Sequence, residues 1–464
     1  MEYAIPVGIM FTFLFLLLNP RSKMLLAFFA MTLCFDLIPR KIYGRDLWDI
    51  GIVLLFIAWF QLILMKPNRL DVRYRYIKAV KLFVVWMGFC FLWSVFVNGY
   101  PVVETIQASR QMILGYLSLF AMLKLFADDE RALGYFLKSF YVLTYALLFV
   151  CTAQYALGRP LLSGLITEYE GAVRALPVFL PICLLNFWIV AAKMFSGKPV
   201  AYHEIGYAAL VVFLVLVTYT RGIYFAVAVT ALVMLATLFL ERRLKIERAA
   251  SVAALSVIFG ALLFSAGLLD RVVQRAASGV GLLMAANAPQ KKIHDDTFSG
   301  RLALADERFG LVAERNPVVG FGFIHENNVL ERLKMKFRHG SVVGTEKYRR
   351  QYAYTDRYTV ALHSADIGWP NIAIDTGFVG LALFMAFLLG FIGHYYKNTK
   401  MVRDDIYPLR LGFFLEAVTL TMLMFNGSSF VSLVQIPLFM VAGYTICTKQ
   451  FSRIDGPRTA GAAA

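Results

Sequence analysis

Apolar residues in this chain form long continuous blocks, not the alternation of a half-buried strand or the one-sided stripe of a surface helix. The blocks Leu47–Met65, 205–220 and Gly222–Leu240 each approach the roughly 20 apolar residues that carry a helix across a bilayer. The same pattern predicts helices near 4–18, 24–38, 47–65, 82–98, 112–127, 138–157, 177–195, 205–220, 222–240, 249–268, 371–396, 408–425 and 429–447. The block at 24–38 is short and contains Asp36, so a re-entrant segment is the alternative to a full crossing there. One polar stretch, 268–369, interrupts the hydrocarbon. Structureless connections above about 12–15 residues are uncommon unless functional or disordered, so chemistry is expected in it.

Composition agrees with the pattern. The chain is 59% hydrophobic and 16% charged, with a mean hydropathy of +0.65. An ordinary globular domain holds about 45–50% apolar residues, so this is an integral membrane protein. The fold class expected is all-α and polytopic, with about 12–13 transmembrane helices and one large loop containing short helices. A β-barrel would show short alternating segments instead. The block at 4–18 lacks a basic leader and a small-residue cleavage site, so it is read as a retained helix. Cys34, Cys90, Cys151, Cys183 and Cys447 are scattered through apolar segments, which implies small core residues and no disulfide or zinc framework.

A net charge of +16 raises the question of nucleic acid, and the positions of the charges answer it. Lys66, Arg69, Arg73, Arg75, Lys78 and Lys81 form one cluster between spans. Arg242, Arg243, Lys245 and Arg248 form a second, and Lys397, Lys400 and Arg403 a third. Such clusters mark cytoplasmic loops. The C-terminus then faces the cytoplasm and the loop at 269–366 faces the opposite side, the periplasm in a Gram-negative cell. The N-terminus is outside if 24–38 crosses and inside if it does not. The expected organisation is one transmembrane domain over 1–448, the extracytoplasmic loop 269–366 within it, and a disordered tail over 449–464.

Three constellations fall on the non-cytoplasmic side. Thr218-Tyr219-Thr220-Arg221-Gly222 joins two apolar blocks with almost no loop. An arginine at such depth is costly unless paired or facing a cavity, and Gly222 would let the chain turn back. The alternative for Arg221 is an interfacial residue snorkelling to headgroups. The second runs from Thr297-Phe298-Ser299-Gly300-Arg301 along a helix-like stretch to Asn316-Pro317-Val318-Val319-Gly320-Phe321-Gly322. Ser299 is the expected N-cap, and Arg301 in the first turn adds charge where free amides already favour phosphate. A guanidinium grips two phosphate oxygens at once, which makes this a candidate pyrophosphate clamp. Gly320-Phe321-Gly322 lacks a third glycine and a preceding strand, so it is read as a turn. The third is His363-Ser364-Ala365-Asp366, followed by Trp369-Pro370-Asn371 and by Gly377 and Gly380 in the next span. A near-neutral imidazole beside the membrane suits taking a proton from a hydroxyl. On the residue alone, a hydrogen-bonded structural histidine is the stronger reading of His363.

In this order and spacing the three patterns resemble the bacterial O-antigen ligase and Wzy-type polysaccharide polymerase superfamily. The resemblance rests on Arg221-Gly222, on Ser299-Gly300-Arg301 with Asn316 to Gly322, and on His363 with Gly377 and Gly380. It covers roughly 205–391. No tryptophan lies between Leu302 and Arg315, where the family often has one, and serine follows His363 where asparagine is common.

The resemblance implies a GT-C-like glycosyltransferase of the bacterial inner membrane, acting on an undecaprenyl-pyrophosphate-linked glycan. Arg221 and Arg301 would hold the pyrophosphate, with Ser299, Gly300, Gly222 and Tyr219 beside them, and His363 would orient or deprotonate the acceptor. It implies no cofactor and no metal, and the loop has no carboxylate cluster of the kind that holds one. Arg174, with Glu168 and Glu170, is a further candidate for sugar or phosphate. Arg332, Lys334, Lys336 and Arg338 read as a solvated helix face. The long basic loop favours polymerising repeat units for exopolysaccharide or O-antigen, with a chain-length regulator as a possible partner. Ligation of the glycan to lipid A core is the alternative acceptor choice. A lipid-linked glycan transporter is the rival from another class, and the missing two-fold hydropathy repeat argues against it.

Overall fold

The computed structural model describes residues 19, 22–23, 26–27, 41–42, 45–65, 75–128, 131–158, 166–169, 172–175, 180–248, 250–251, 298–324, 368–399 and 406–424. The helices are α1 (Leu47–Met65), α2 (Arg75–Phe96), α3 (Val102–Asp128), α4 (Ala132–Leu157), α5 (Leu180–Phe195), α6 (Tyr202–Val217), α7 (Arg221–Leu240), α8 (Phe298–Arg315), α9 (Gly368–Thr399) and α10 (Tyr407–Leu423). Two short antiparallel hairpins accompany them: β1 (Lys41–Ile42) with β2 (Arg45–Asp46), and β3 (Ile166–Tyr169) with β4 (Ala172–Ala175). The fold is that of an all-α polytopic membrane protein.

Among the described residues, Tyr76–Phe96, Gly134–Leu157, Gly222–Leu240 and Gly368–Lys397 are long and apolar enough to cross a bilayer. Their outward surface is hydrocarbon, with Val85 70% and Phe96 79% exposed, a surface suited to lipid and not to water. The expected spans at 4–18 and 429–447 lie outside the described residues, and 24–38 and 249–268 do so almost entirely. Two helices outrun their apolar blocks. α2 starts at Arg75, inside the first basic cluster, because exposed Lys78 and Lys81 extend along a helix with their charges led outward. α3 starts ten residues before 112, where Glu104, Gln107 and Arg110 make a polar prolongation invisible to a hydropathy window.

The chain divides into two units, Met1–Arg73 with Leu114–Leu184 and Ser432–Ala464, and Tyr74–Ile113 with Leu185–Val431. In the first, β4 packs on α4. In the second, two antiparallel pairs set the architecture. α2 lies against α9, with Tyr76 edge-on to Phe391 at 5.2 Å and Phe83 at 5.7 Å from Phe384. α7 lies against α10, where the Tyr407 hydroxyl donates to Glu241 Oε2 at 2.7 Å and the Thr419 and Thr230 hydroxyls meet at 3.0 Å. The Trp188 indole of α5 donates to Thr419 Oγ1 at 2.8 Å, and Gly412 lets α10 approach α5, since a Cβ there would stand 2.9 Å from the Ile189 backbone. The Gly368 amide donates to the Met424 carbonyl at 3.0 Å, which ties the start of α9 to the end of α10.

These pairings sort the helix ends. One end of the second unit gathers the start of α7 at Arg221, the end of α10 and the start of α9. The opposite end gathers Arg75 and Lys78 at the start of α2, Arg242 to Arg248 after α7, and Lys397 near the end of α9. There Arg243 lies over the Tyr407 ring at 4.1 Å. The basic clusters thus share one end, and Arg221 stands at the other.

Candidate functional site

Arg221 is the first residue of α7, placed there by a three-residue connection from α6. The tight turn was expected from Gly222. It is made instead by Tyr219, whose φ of 47° is in the left-handed region, while Gly222 is an ordinary helical residue. A bulky residue in that region is strained and persists only where its surroundings hold it. They do here: Tyr219 is buried, Thr218 Oγ1 donates to Val215 O at 2.7 Å, and Thr220 Oγ1 donates to Thr218 O at 3.0 Å. The Tyr224 hydroxyl bonds back to Leu216 O across the turn. Arg221 therefore sits on a rigid corner, at a helix start where the first amides lack partners inside the helix.

Arg301 also stands in the first turn of its helix. α8 begins at Phe298, so Ser299 and Gly300 are helical residues, and Ser299 is not the expected N-cap. The other end of α8 is fixed by its turn. Asn316 Oδ1 accepts the amides of Val318 and Val319 at 3.0 and 3.2 Å, which satisfies two donors where the helix stops. Gly320 and Gly322 both take φ of 73°.

This turn is interlocked with a break in α9. Gly377 has φ 68° and ψ −177°, so α9 kinks there and the Phe378 amide cannot reach Ile374 as in a regular helix. The turn supplies the missing partners: the Phe378 amide donates to Pro317 O at 2.9 Å, and the Phe321 amide donates to Ile374 O at 2.8 Å. The Thr376 carbonyl accepts from the Trp86 indole of α2 at 2.7 Å. All three glycines are demanded by contact. A Cβ on Gly320 would lie 2.5 Å from the carbonyl oxygens of Ala373 and Ile374, one on Gly322 would strike Ser94 Oγ, and one on Gly377 would strike Val318 O. An apolar cluster of Tyr100, Val312, Phe321, Ile324, Ala373 and Ile374 seals the joint.

Sequence reasoning missed the contribution of α2. Ser94 Oγ accepts the Phe323 amide at 2.8 Å and donates to Cys90 O at 2.7 Å, while Asn98 Nδ2 donates to Phe321 O at 2.9 Å. The Asn98-Gly99 dipeptide was a visible turn signal, but nothing in it names a partner 223 residues away. The structure thus brings α7's start, α8 with its turn, and α9's start to the same end of the second unit. Arg174 belongs to the first unit, paired with Thr167 in the β3–β4 hairpin. His363 and the cluster Arg332 to Arg338 lie outside the described residues.

The described residues thus form a helical membrane protein with an arginine-led helix start and a glycine-locked polar insertion at one end. Residues 206–385 match the family model described as O-antigen ligase. Over that segment, somewhat more than a third of the chain, the protein is similar to the O-antigen ligase family. The matched segment contains Arg221, Arg301, His363 and all three locking glycines. No curated protein matches the chain.

Proposed function

We propose that this protein is a metal-independent glycosyltransferase of the bacterial inner membrane that polymerises repeat units carried on undecaprenyl pyrophosphate, on the extracytoplasmic side. The observation that carries the reading is the convergence, within the family-matched segment, of Arg221 at a helix start with the α8 insertion and with α9, which begins five residues after His363. Its placement opposite the basic clusters supports an extracytoplasmic site.

In the proposed reaction the acceptor hydroxyl oxygen attacks the anomeric carbon of the donor. The bond from that carbon to the pyrophosphate oxygen breaks, and its electron pair leaves with the lipid pyrophosphate. His363 takes the hydroxyl proton. Arg221 and Arg301 neutralise the charge growing on the leaving group, and the strained Tyr219 keeps Arg221 in place. Gly222, Ser299 and Gly300 leave backbone amides close to the phosphates. A chain-length regulator and an acceptor glycan are the partners implied.

The test is transfer by the purified protein from a lipid-pyrophosphate glycan to either a second repeat unit or lipid A core. Elongation with the repeat unit, lost in folded Arg301→Ala and His363→Ala variants, is expected. Transfer to lipid A core alone would make the protein a ligase, and glycan-lipid movement between liposome leaflets without transfer would make it a transporter.

A further inference from the structure

α7 ends in a turn whose geometry asks for glycine and whose sequence supplies arginine. The Arg242 amide donates to Phe239 O at 3.0 Å and the Arg243 amide to Leu238 O at 2.8 Å, the paired bonds that close a helix around a left-handed residue. That residue is Arg242, with φ 54°. Glycine takes this conformation freely, whereas a side chain there is disfavoured. The turn is locked from a second direction as well. The Lys245 amide donates to Phe195 O at the end of α5 at 3.1 Å, and a Cβ on Gly197 would stand 2.8 Å from Lys245 Cγ, so the lysine stem lies against the α5–α6 connection.

The result is a fixed cationic rim at the end where the basic clusters gather. Arg242, Lys245 and Arg248 are exposed, and among the described residues none of the three has an ion pair or a side-chain hydrogen bond. The neighbouring acids Glu241 and Glu204 are engaged, with the Tyr407 hydroxyl at 2.7 Å and with Lys193 at 2.6 Å, and Glu247 is exposed. Apolar groups flank the cations. Phe239 and Leu240 end the lipid-facing surface of α7, Ile246 beside Lys245 is 78% exposed, and Tyr202 at the start of α6 is 94% exposed. Exposed hydrocarbon next to free cations, at the rim of a span, matches the boundary between acyl chains and anionic headgroups. Orientation by positive charge calls for lysine or arginine at this end, but not for arginine in a left-handed corner.

We propose that this rim binds an anionic glycerophospholipid of the adjoining leaflet, with Arg242, Lys245 and Arg248 meeting its phosphate and Ile246 and Tyr202 its upper acyl chains. Arg242 holds a conformation that weakens the fold and sets a cation at the headgroup. The site is independent of the transfer reaction and lies at the opposite end from Arg221.

Native mass spectrometry of the full-length protein, delipidated in detergent, measures retention of phosphatidylglycerol and of phosphatidylcholine, and the thermal midpoint is read without lipid. The unaltered chain is expected to retain phosphatidylglycerol far better; equal retention of the two overturns the proposal. A cation near a headgroup surface contributes about fivefold in affinity, so Arg242→Gly, Lys245→Gln and Arg248→Gln together should weaken phosphatidylglycerol binding by about 100-fold. Arg242→Gly alone should weaken it about fivefold while raising the lipid-free midpoint, opposite changes that a purely structural arginine does not give. Lys78→Gln with Lys81→Gln, exposed cations of α2, is the control and should change binding little. An equal loss in that control would reduce the effect to diffuse surface charge, and unchanged binding in Arg242→Gly would make Arg242 a helix cap only; either overturns the proposal. Displacement of the lipid by millimolar inorganic phosphate would overturn it too, assigning the cations to a soluble anion. Should the triple variant fail to fold, Arg242→Gly and Arg248→Gln decide singly.

Discussion

Replacing Gly377 by alanine tests the interlock between the 316–322 turn and α9, and the sign of the effect is informative. In a regular helix Gly→Ala stabilises by up to about 1 kcal/mol. Gly377 has φ 68°, where an L residue costs about 1–2 kcal/mol. Its new Cβ would strike Val318 O and stand 2.6 Å from the Val319 amide nitrogen. Those are backbone atoms of a turn pinned by Asn316, so no side chain can swing aside. Relief requires separating the turn from α9, which breaks the Phe321–Ile374 and Phe378–Pro317 bonds at about 0.5–1.5 kcal/mol each. The combined loss is about 3–4 kcal/mol. Thermal unfolding in detergent, followed by tryptophan fluorescence, measures it. Gly310→Ala on α8 is the control, because a Cβ there meets nothing within 4 Å and the midpoint should rise slightly. A Gly377→Ala protein as stable as Gly310→Ala would refute the interlock.

Three further outcomes are expected. Trp86→Phe removes the donor to the Thr376 carbonyl at the kink and should cost about 1–3 kcal/mol by thermal unfolding, with transfer activity falling further than stability; an unchanged midpoint contradicts the role given to the indole. Glu416 on α10 is fully buried, with neither carboxyl oxygen hydrogen-bonded among the described residues. Glu416→Leu should therefore raise the thermal midpoint, and a lower one would show that the carboxyl has a stabilising partner. Tyr407→Phe deletes the 2.7 Å bond to Glu241 but keeps the ring under Arg243, so a loss of about 1 kcal/mol is expected, and a loss as large as that of Tyr407→Ala would assign the strength to the hydroxyl.

Much of the helical frame was legible because membrane spans are written in hydropathy. Leu47–Met65 coincides with α1, and α7 starts one residue before the block at 222–240. Helix length was legible only where the helix stays within hydrocarbon: the snorkelling lysines of α2 and the polar start of α3 fall outside any apolar window. The β3–β4 hairpin, eight strand residues in a polar connection, left too short a signal. In the site, Arg221 stood out as a charge between two spans, and Asn316 to Gly322 as a turn. What sequence could not convey is pairing at a distance. The left-handed corner fell to Tyr219 because buried hydrogen bonds around Thr218 hold it, and no residue preference announces that. The demand for glycine at 320, 322 and 377 arises from contacts with carbonyls and with Ser94 that only the folded chain creates.

The most direct test of the account is the initial rate of glycan transfer from undecaprenyl pyrophosphate in proteoliposomes, compared between the unaltered protein and a folded Arg221→Ala variant. If Arg221 neutralises the leaving pyrophosphate from the corner made by Tyr219, the rate falls by about 100-fold or more. A variant that transfers at the full rate would contradict the site.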